Sequence, residues 1–235
     1  MNLLLKDEMN LFDHYDELYR DAVRKIQSDE YEPDELIDAP VDNRFGITLL
    51  IRPDKKVKIK IQKLLNQFKQ IEPLQYYYPS SDIHITIMSI ILCHKGFSLH
   101  QININEYINL IQKSIDGLPK FKIEFKGITA SPSCIMIQGF PQNNVLNQIR
   151  FHLRNNFKHS NLQQSFDTRY KIQAAHSTVL RLRKQLKNKE EFLKIIEQYR
   201  NVDIGSFSVE ELELVFNDWY QKKKHVKLLY RFKLR

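Results

Sequence analysis

The sequence predicts an α+β protein with two pseudo-symmetric lobes, each a mostly antiparallel sheet with outer helices, and an active-site cleft between the sheets. Two observations carry this prediction. The order strand, helix, strand, helix, strand occurs twice along the chain, and the middle strand of each half contains a His-x-Thr pattern, at His84 and His176. Strand–helix–strand units place their strands in one sheet. Two such units related by a pseudo-twofold axis would bring the equivalent strands face to face.

The composition is that of a folded protein with an anionic partner. The 235 residues are 42% hydrophobic and 11% aromatic, which is typical of a chain with a substantial core rather than a disordered one. The formal net charge of +8 favours nucleic acid or a phosphate ester as the partner.

Cysteine use and hydropathy indicate the cellular compartment of the protein. Cys93 and Cys134 are the two cysteines, and no Cys/His spacing resembles a zinc site, so we expect neither a disulfide framework nor a zinc site. We expect no other cofactor. The apolar Leu3–Leu5 is followed at once by Asp7, which is unlike a signal peptide, and no window approaches a membrane span. We therefore expect a cytoplasmic protein that does not enter membranes. We also expect a monomer.

An extra helix precedes the duplicated part. Apolar residues recur at three- and four-residue steps and predict a helix over about residues 3–28. Residues 30–43 contain Pro33, Pro40 and several acids, which indicates a connecting loop. Residues 1–43 are thus predicted to be a helix and a linker that pack against a bilobal domain of residues 44–235.

The first half of that domain alternates strands and helices. Its clearest strand has Phe121, Ile123 and Phe125 alternating with charged residues, which indicates one wet face. The periodicities predict strands over 45–51, 83–92 and 121–128, and helices over 57–71 and 105–118.

The second half repeats this order and adds a strand. The same criteria predict strands over 134–140, 172–182, 206–216 and 226–234, and helices over 143–158 and 189–199. The lobes would cover roughly residues 44–130 and 131–235, and the additional strand leaves room for them to exchange terminal strands.

Each His-x-Thr pattern places an imidazole and a hydroxyl on the same face of a strand. Successive side chains of a strand point to opposite faces, so His84 lies beside Thr86, and His176 beside Thr178. With eight histidines in 235 residues, chance would produce roughly 0.2 such patterns. The competing interpretation is a polar pair on the solvated face of an amphipathic strand.

The two stretches His84-Ile-Thr-Ile and His176-Ser-Thr-Val resemble the double His-x-Thr-x signature of the 2H phosphoesterase superfamily. The similarity covers residues 44–235 in element order and the two motifs in identity. It implies that His84, Thr86, His176 and Thr178 are catalytic and act without a metal. One imidazole would serve as the base and the other as the acid, while the hydroxyls hold the phosphate oxygens.

The resemblance implies a hydrolase of the cyclic phosphodiesterase type, similar to 2′-5′ RNA ligases. Its substrate would be a 2′,3′-cyclic phosphate or a 2′-5′ phosphodiester of RNA or a nucleotide. By analogy the product is a 2′-phosphate, with His84 as the acid and His176 as the base, although substrate orientation decides between them. Two alternatives stay open: an RNA-binding module without turnover, and an RNA end-joining enzyme.

Four further residues are candidates for substrate binding. Tyr78 precedes the first motif, and Arg181 follows the second. Strand alternation turns Arg181 away from His176 unless the strand twists or bulges. Trp219 and Tyr220 lie beside three lysines, a composition found in contacts with single-stranded RNA. The alternatives are core packing for Tyr78, a salt bridge for Arg181, and a solvated hairpin tip for Trp219 and Tyr220. The other histidines are interpreted as surface or packing residues.

Overall fold

A computed structural model describes residues 10–169 and 171–235, and it confirms the predicted fold class. The described residues form five α-helices and two antiparallel sheets, and helices and strands alternate along much of the chain. The helices are α1 (Leu11–Gln27), α2 (Lys55–Ile71), α3 (Ile104–Ile115), α4 (Val145–Lys158) and α5 (Lys189–Gln198). The strands are β1 (Arg44–Ile51), β2 (Tyr76–Tyr77), β3 (Ile85–Lys95), β4 (Phe121–Ser131), β5 (Cys134–Pro141), β6 (Ser177–Arg181), β7 (Asp203–Val209), β8 (Glu211–Asp218) and β9 (Lys227–Lys233).

The helices begin where side chains satisfy free backbone N–H groups. The Asp54 carboxylate accepts a hydrogen bond from the N–H of Val57 and caps α2, and Asn10 caps α1 through the N–H of Phe12. Each helix then buries one apolar face, because its hydrophobic residues recur with the helical period. In α2, for example, Ile61 and Phe68 have no exposed surface.

Each sheet takes strands from both halves of the chain. The first sheet has the order β3-β1-β8-β9 and the second the order β2-β6-β5-β4-β7, with every pairing antiparallel. The last strand of the first half, β4, therefore lies in the second sheet, while β8 and β9 complete the first. The motif strands β3 and β6 belong to different sheets, and this separation allows the two motifs to face each other.

The single strand predicted over residues 206–216 is wrong. The structure divides it at Glu210 into β7, which pairs with β4, and β8, which pairs with β1. The inward-facing residues change phase at this point: Phe207 and Val209 alternate before it, and Leu212 and Leu214 alternate after it. A change of phase moves the buried face to the other side of the chain, as the move to a second sheet requires.

Both motif strands start later than predicted. β3 begins at Ile85 and β6 at Ser177, so His84 and His176 each lie one residue before a strand rather than inside it. The second difference is larger, because residues 171–176 form no strand although a strand was predicted from residue 172. The two imidazoles are thus held by the segments that lead into the sheets.

Helix α1 packs against the second sheet. The Tyr15 hydroxyl donates to the carbonyl of Gly139 and accepts from its N–H, both at 3.2 Å, and the Thr129 hydroxyl donates to the Tyr15 carbonyl. Ala22 and Ile26 on the same face have no exposed surface. The predicted helix is confirmed from Leu11 onward, and its predicted start at residues 3–9 lies outside the described residues. Among the described helices, none has the length and apolarity needed to cross a membrane.

Candidate active site

Both His-x-Thr pairs line one cavity. This cavity has a volume of about 680 Å³, and its walls contain strands of both sheets, helix α1 and the loop that leads into β6. The residues from the two motifs are His84, Thr86, His176 and Thr178. The structure therefore brings together four side chains that the sequence separates by as many as 94 positions.

The orientation of His84 is set by its own segment. Its Nδ1 donates a hydrogen bond of 2.7 Å to the carbonyl of Asp82, which leaves Nε2 as the nitrogen available for proton transfer. Asp82 is itself buried, and its carboxylate accepts hydrogen bonds from the Ser81 hydroxyl and the Lys223 N–H. The carbonyl that holds the imidazole is thus on a fixed turn.

His176 has a different environment. Its Nδ1 is buried and has no hydrogen-bond partner among the described residues. Burial lowers the pKa of His176 to about 4, and the charges of Arg150 and His14 act in the same direction. Burial also lowers the pKa of His84 to about 4, opposed by its Asp82 hydrogen bond and assisted by the charge of Arg52. Both imidazoles are therefore neutral near pH 7 in the unliganded protein.

Bulges in the two motif strands decide which side chains reach the cavity. In β6, Leu180 pairs with Ile135 but Thr178 pairs with Met136, so Val179 is an extra residue. This bulge turns Arg181 to the cavity side, beside Thr178, in spite of the odd spacing that argued against it. In β3, similar irregularities interrupt the two-residue repeat, and its cavity-lining side chains are Thr86, Met88, Ser89, Leu92 and Cys93.

Arg181 is held in place by two polar partners. Its Nε donates to the Tyr78 hydroxyl at 3.0 Å, and its Nη1 lies 3.4 Å from a carboxylate oxygen of Asp34. Burial alone would lower the pKa of Arg181, but Tyr78, Cys134 and Asp34 together outweigh it and raise the pKa. A permanently charged guanidinium thus lies in the cavity wall next to the second motif.

The aromatic candidates have different positions. Tyr78 lines the cavity, but it is only 2% exposed and its hydroxyl is occupied by Arg181, so it supports that arginine rather than presenting a face for stacking. Trp219 is half-buried in the cavity wall, with the guanidinium carbon of Arg169 4.7 Å from its ring centre. Tyr220 is outside the cavity lining and donates a hydrogen bond to Asp34, which corrects its predicted contact with substrate.

Several cavity residues have no counterpart in the motifs. His14 and Leu18 reach the cavity from α1, a position that the sequence did not indicate for His14. Their four-residue spacing on one helix face was visible, but nothing in it indicated which lobe the helix covers. Asn217 and Gln221, next to Trp219, and the cations Arg169 and Lys171 were also missed. Within the described residues, no cluster of three His, Cys, Asp or Glu side chains could hold a metal ion.

The class of this protein, the 2H phosphoesterase superfamily, is given by a family model that covers most of the chain. Residues 53–233 match the family model of the AKAP7 2′5′ RNA ligase-like domain, and the chain therefore belongs to that family, within the 2H phosphoesterase superfamily. The matched range includes both motifs and excludes helix α1. No curated protein gives a significant match to the chain.

Solved structures share this fold at low sequence identity. TT0787 of Thermus thermophilus is 15% identical, with a TM-score of 0.57 over 81% of this chain and 98% of that one. LigT of E. coli in complex with phosphate is 14% identical, with a TM-score of 0.53 over 82% and 99% of the two chains. A structure described as a phosphoesterase is 14% identical, with a TM-score of 0.53 over 81% and 98%.

Proposed function

We propose that this protein is a metal-independent phosphoesterase of the cyclic phosphodiesterase type. Its substrate is a 2′,3′-cyclic phosphate, or a related 2′-5′ phosphodiester, of RNA or a nucleotide. The observation that carries the proposal is the convergence of two His-Thr pairs on one cavity. Two imidazoles suit a reaction in which one proton is removed and another is supplied at the same phosphorus.

The surroundings of the two histidines support different roles for them. His84 donates from Nδ1 to a carbonyl oxygen, which stabilises the imidazolium form and suits a general acid. His176 lacks such an acceptor among the described residues and lies near the buried cation Arg150, which favours its neutral form and suits a general base. These assignments agree with those that the family resemblance implies.

In the reaction, Nε2 of His84 and one nitrogen of His176 act on opposite sides of the phosphorus. His176 removes a proton from water, whose oxygen bonds to phosphorus. The bond from phosphorus to the 3′ oxygen breaks, and that oxygen receives the proton of His84, which leaves a 2′-phosphate and a 3′-hydroxyl. The hydroxyls of Thr86 and Thr178 and the guanidinium of Arg181 stabilise the charge that develops on the non-bridging oxygens.

The charge of the cavity wall and the ligands of a relative also support an anionic nucleotide substrate. Arg169 and Lys171 add positive charge near the second motif, in agreement with the net charge of +8. LigT of E. coli, which shares the fold, has been crystallised with 3′-AMP and with phosphate. A phosphate held between the motifs would place both histidines within reach of the reacting bonds.

We expect the purified protein to open a nucleoside 2′,3′-cyclic phosphate in the presence of EDTA and to yield the 2′-phosphate. The test is a substrate panel of cyclic and 2′-5′-linked nucleotides and oligonucleotides, with the position of the product phosphate assigned by ³¹P NMR. Tight RNA binding without turnover of any member would contradict the proposal and favour a binding module. Joined product from 2′,3′-cyclic and 5′-hydroxyl ends would indicate an end-joining enzyme.

The pKa shifts predict an acidic pH dependence. Burial lowers both imidazole pKa values from 6.5 to about 4, so in the free protein the protonated acid becomes more abundant as the pH falls. We expect kcat/KM to increase by up to about tenfold per pH unit between roughly pH 8 and pH 5, because this parameter reports the free enzyme.

The phosphate charge of a bound substrate raises the imidazole pKa, so the dependence of kcat should be weaker than that of kcat/KM. The measurement is a pH series of initial rates at constant ionic strength. A kcat/KM maximum near pH 8 would contradict the predicted protonation states.

A further inference from the structure

Arg150 on helix α4 is the largest fully buried side chain of the described chain and connects both motif segments. It is 1% exposed. Its guanidinium donates to the carbonyls of Ile87 (3.1 Å) and Thr86 (3.3 Å) on one side, and of Gln173 (2.7 Å) and Ala174 (2.8 Å) on the other. The first pair belongs to the strand that follows His84, and the second pair precedes His176.

These hydrogen bonds join two segments that no strand pairing of the described residues connects. β3 lies in the first sheet, and residues 171–176 form no strand, so the ladders of the two sheets do not join these segments. A guanidinium has five N–H donors in a rigid plane and can serve carbonyls on two sides at once. Lysine, with three donors on one nitrogen, lacks this reach.

The burial of this cation has an energetic cost that its partners only partly offset. Desolvation lowers the pKa of Arg150 to about 10, and the nearby Arg154 acts in the same direction. The partners at hydrogen-bond distance are carbonyl dipoles rather than a carboxylate. A buried charge without a carboxylate partner destabilises a core that needs only packing, so these hydrogen bonds point to a specific role for Arg150.

We propose that Arg150 is a positioning residue for the phosphoesterase site, whose guanidinium ties the two motif segments together and thereby sets the separation of His84 and His176. This inference rests on the proposed function. It assigns no contact with substrate to Arg150. The positive charge of Arg150, on α4, also lowers the pKa of His176. His14, on α1, acts on the same imidazole in the same direction.

Two substitutions separate the geometry of Arg150 from its charge. Arg150→Lys keeps the charge and loses the planar fork, and Arg150→Met loses both. In both variants we expect kcat to fall by about 100-fold with little change in KM, because an error of about 1 Å in the placement of catalytic groups has an effect of this size. Lys158→Met, which removes an exposed cation from the same helix, should change kcat by less than about threefold.

The pH profile distinguishes positioning from a general loss of stability. In Arg150→Met, the pKa of His176 should rise because a neighbouring positive charge is gone, whereas Arg150→Lys should retain the wild-type value. Titration of the imidazoles followed by ¹H–¹⁵N NMR measures the pKa of His176 and does not depend on catalytic turnover. Lower melting temperatures with wild-type kcat and unchanged titrations would overturn the proposal.

Inorganic phosphate provides a test that is independent of catalysis. In the wild type, the signals of His84 and His176 should report one phosphate with the same Kd, whereas in Arg150→Lys the two imidazole signals should no longer respond together to phosphate. If the wild type turns over no substrate but phosphate behaves in this way, the proposed function fails and the positioning role stands. If turnover is intact in both Arg150 variants, the positioning role fails and the function stands.

If neither Arg150 variant folds, a measurement on the wild-type protein still tests the proposal. The Arg150 Nε–H should exchange with solvent far more slowly than that of Arg24, whose side chain is exposed, because its hydrogen bond to Ile87 lies in the core. Exchange of the two groups at similar rates would show that the guanidinium does not hold the segments in solution, and would overturn the proposal.

Discussion

His84→Ala and His176→Ala each lower kcat/KM for a 2′,3′-cyclic phosphate by at least about 1,000-fold, because each removes one of two required proton-transfer groups. The residual hydroxyls and Arg181 still bind phosphate, so the loss should fall mainly on kcat. The measurement is steady-state kinetics in EDTA, with circular dichroism to establish that each variant is folded.

The matched control is His94→Ala. His94 lies on the same strand as Thr86, but it is exposed and outside the cavity lining, so its replacement should change kcat/KM by less than about twofold. Full activity in either His84→Ala or His176→Ala would contradict the proposed site, whatever the control shows.

Gly139→Ala is expected to lower the stability strongly. A Cβ at this position would lie 1.9 Å from the carbonyl oxygen of Ala175, and the Gly139 backbone also forms both hydrogen bonds to the Tyr15 hydroxyl. The obstacle is backbone rather than a flexible side chain, so the free energy of unfolding should fall by about 3 kcal/mol or more. Because Ala175 precedes His176, activity should fall in any protein that still folds.

Urea unfolding measures this effect as a shift in the midpoint at constant slope. Gly117→Asn is a suitable control, because nothing lies within 4 Å of a Cβ there and asparagine tolerates the positive φ of 73°. Its cost should stay below about 1 kcal/mol. A wild-type unfolding midpoint for Gly139→Ala would show that the segment before His176 is not held against β5 as described.

Much of the fold follows from local patterns in the sequence. The helices are predicted within a few residues because their apolar faces and their ends are encoded locally, as in α2, which starts after Asp54 and ends at Ile71. The sheet membership of β4 and β8 does not follow in this way. It depends on which lobe offers a free strand edge, and this is a property of the assembled protein.

The catalytic candidates were predictable for a different reason. Two His-x-Thr patterns at equivalent places of a duplicated unit are rare enough to be informative on their own. The bulge at Val179, which turns Arg181 into the cavity, has no such signature, because it is a mismatch in pairing with β5. Arg150 was equally hidden, since a single arginine in an amphipathic helix ordinarily faces solvent.

The central claim is that the two motifs act on one phosphorus rather than at separate sites. The double variant His84→Ala/His176→Ala tests it when its kcat/KM is compared with those of the single variants. Groups that act as a unit are strongly non-additive, so we expect the double variant to be no more than about tenfold less active than either single variant. Fully multiplicative losses, or single variants that each retain about half of the wild-type activity, would contradict a shared site.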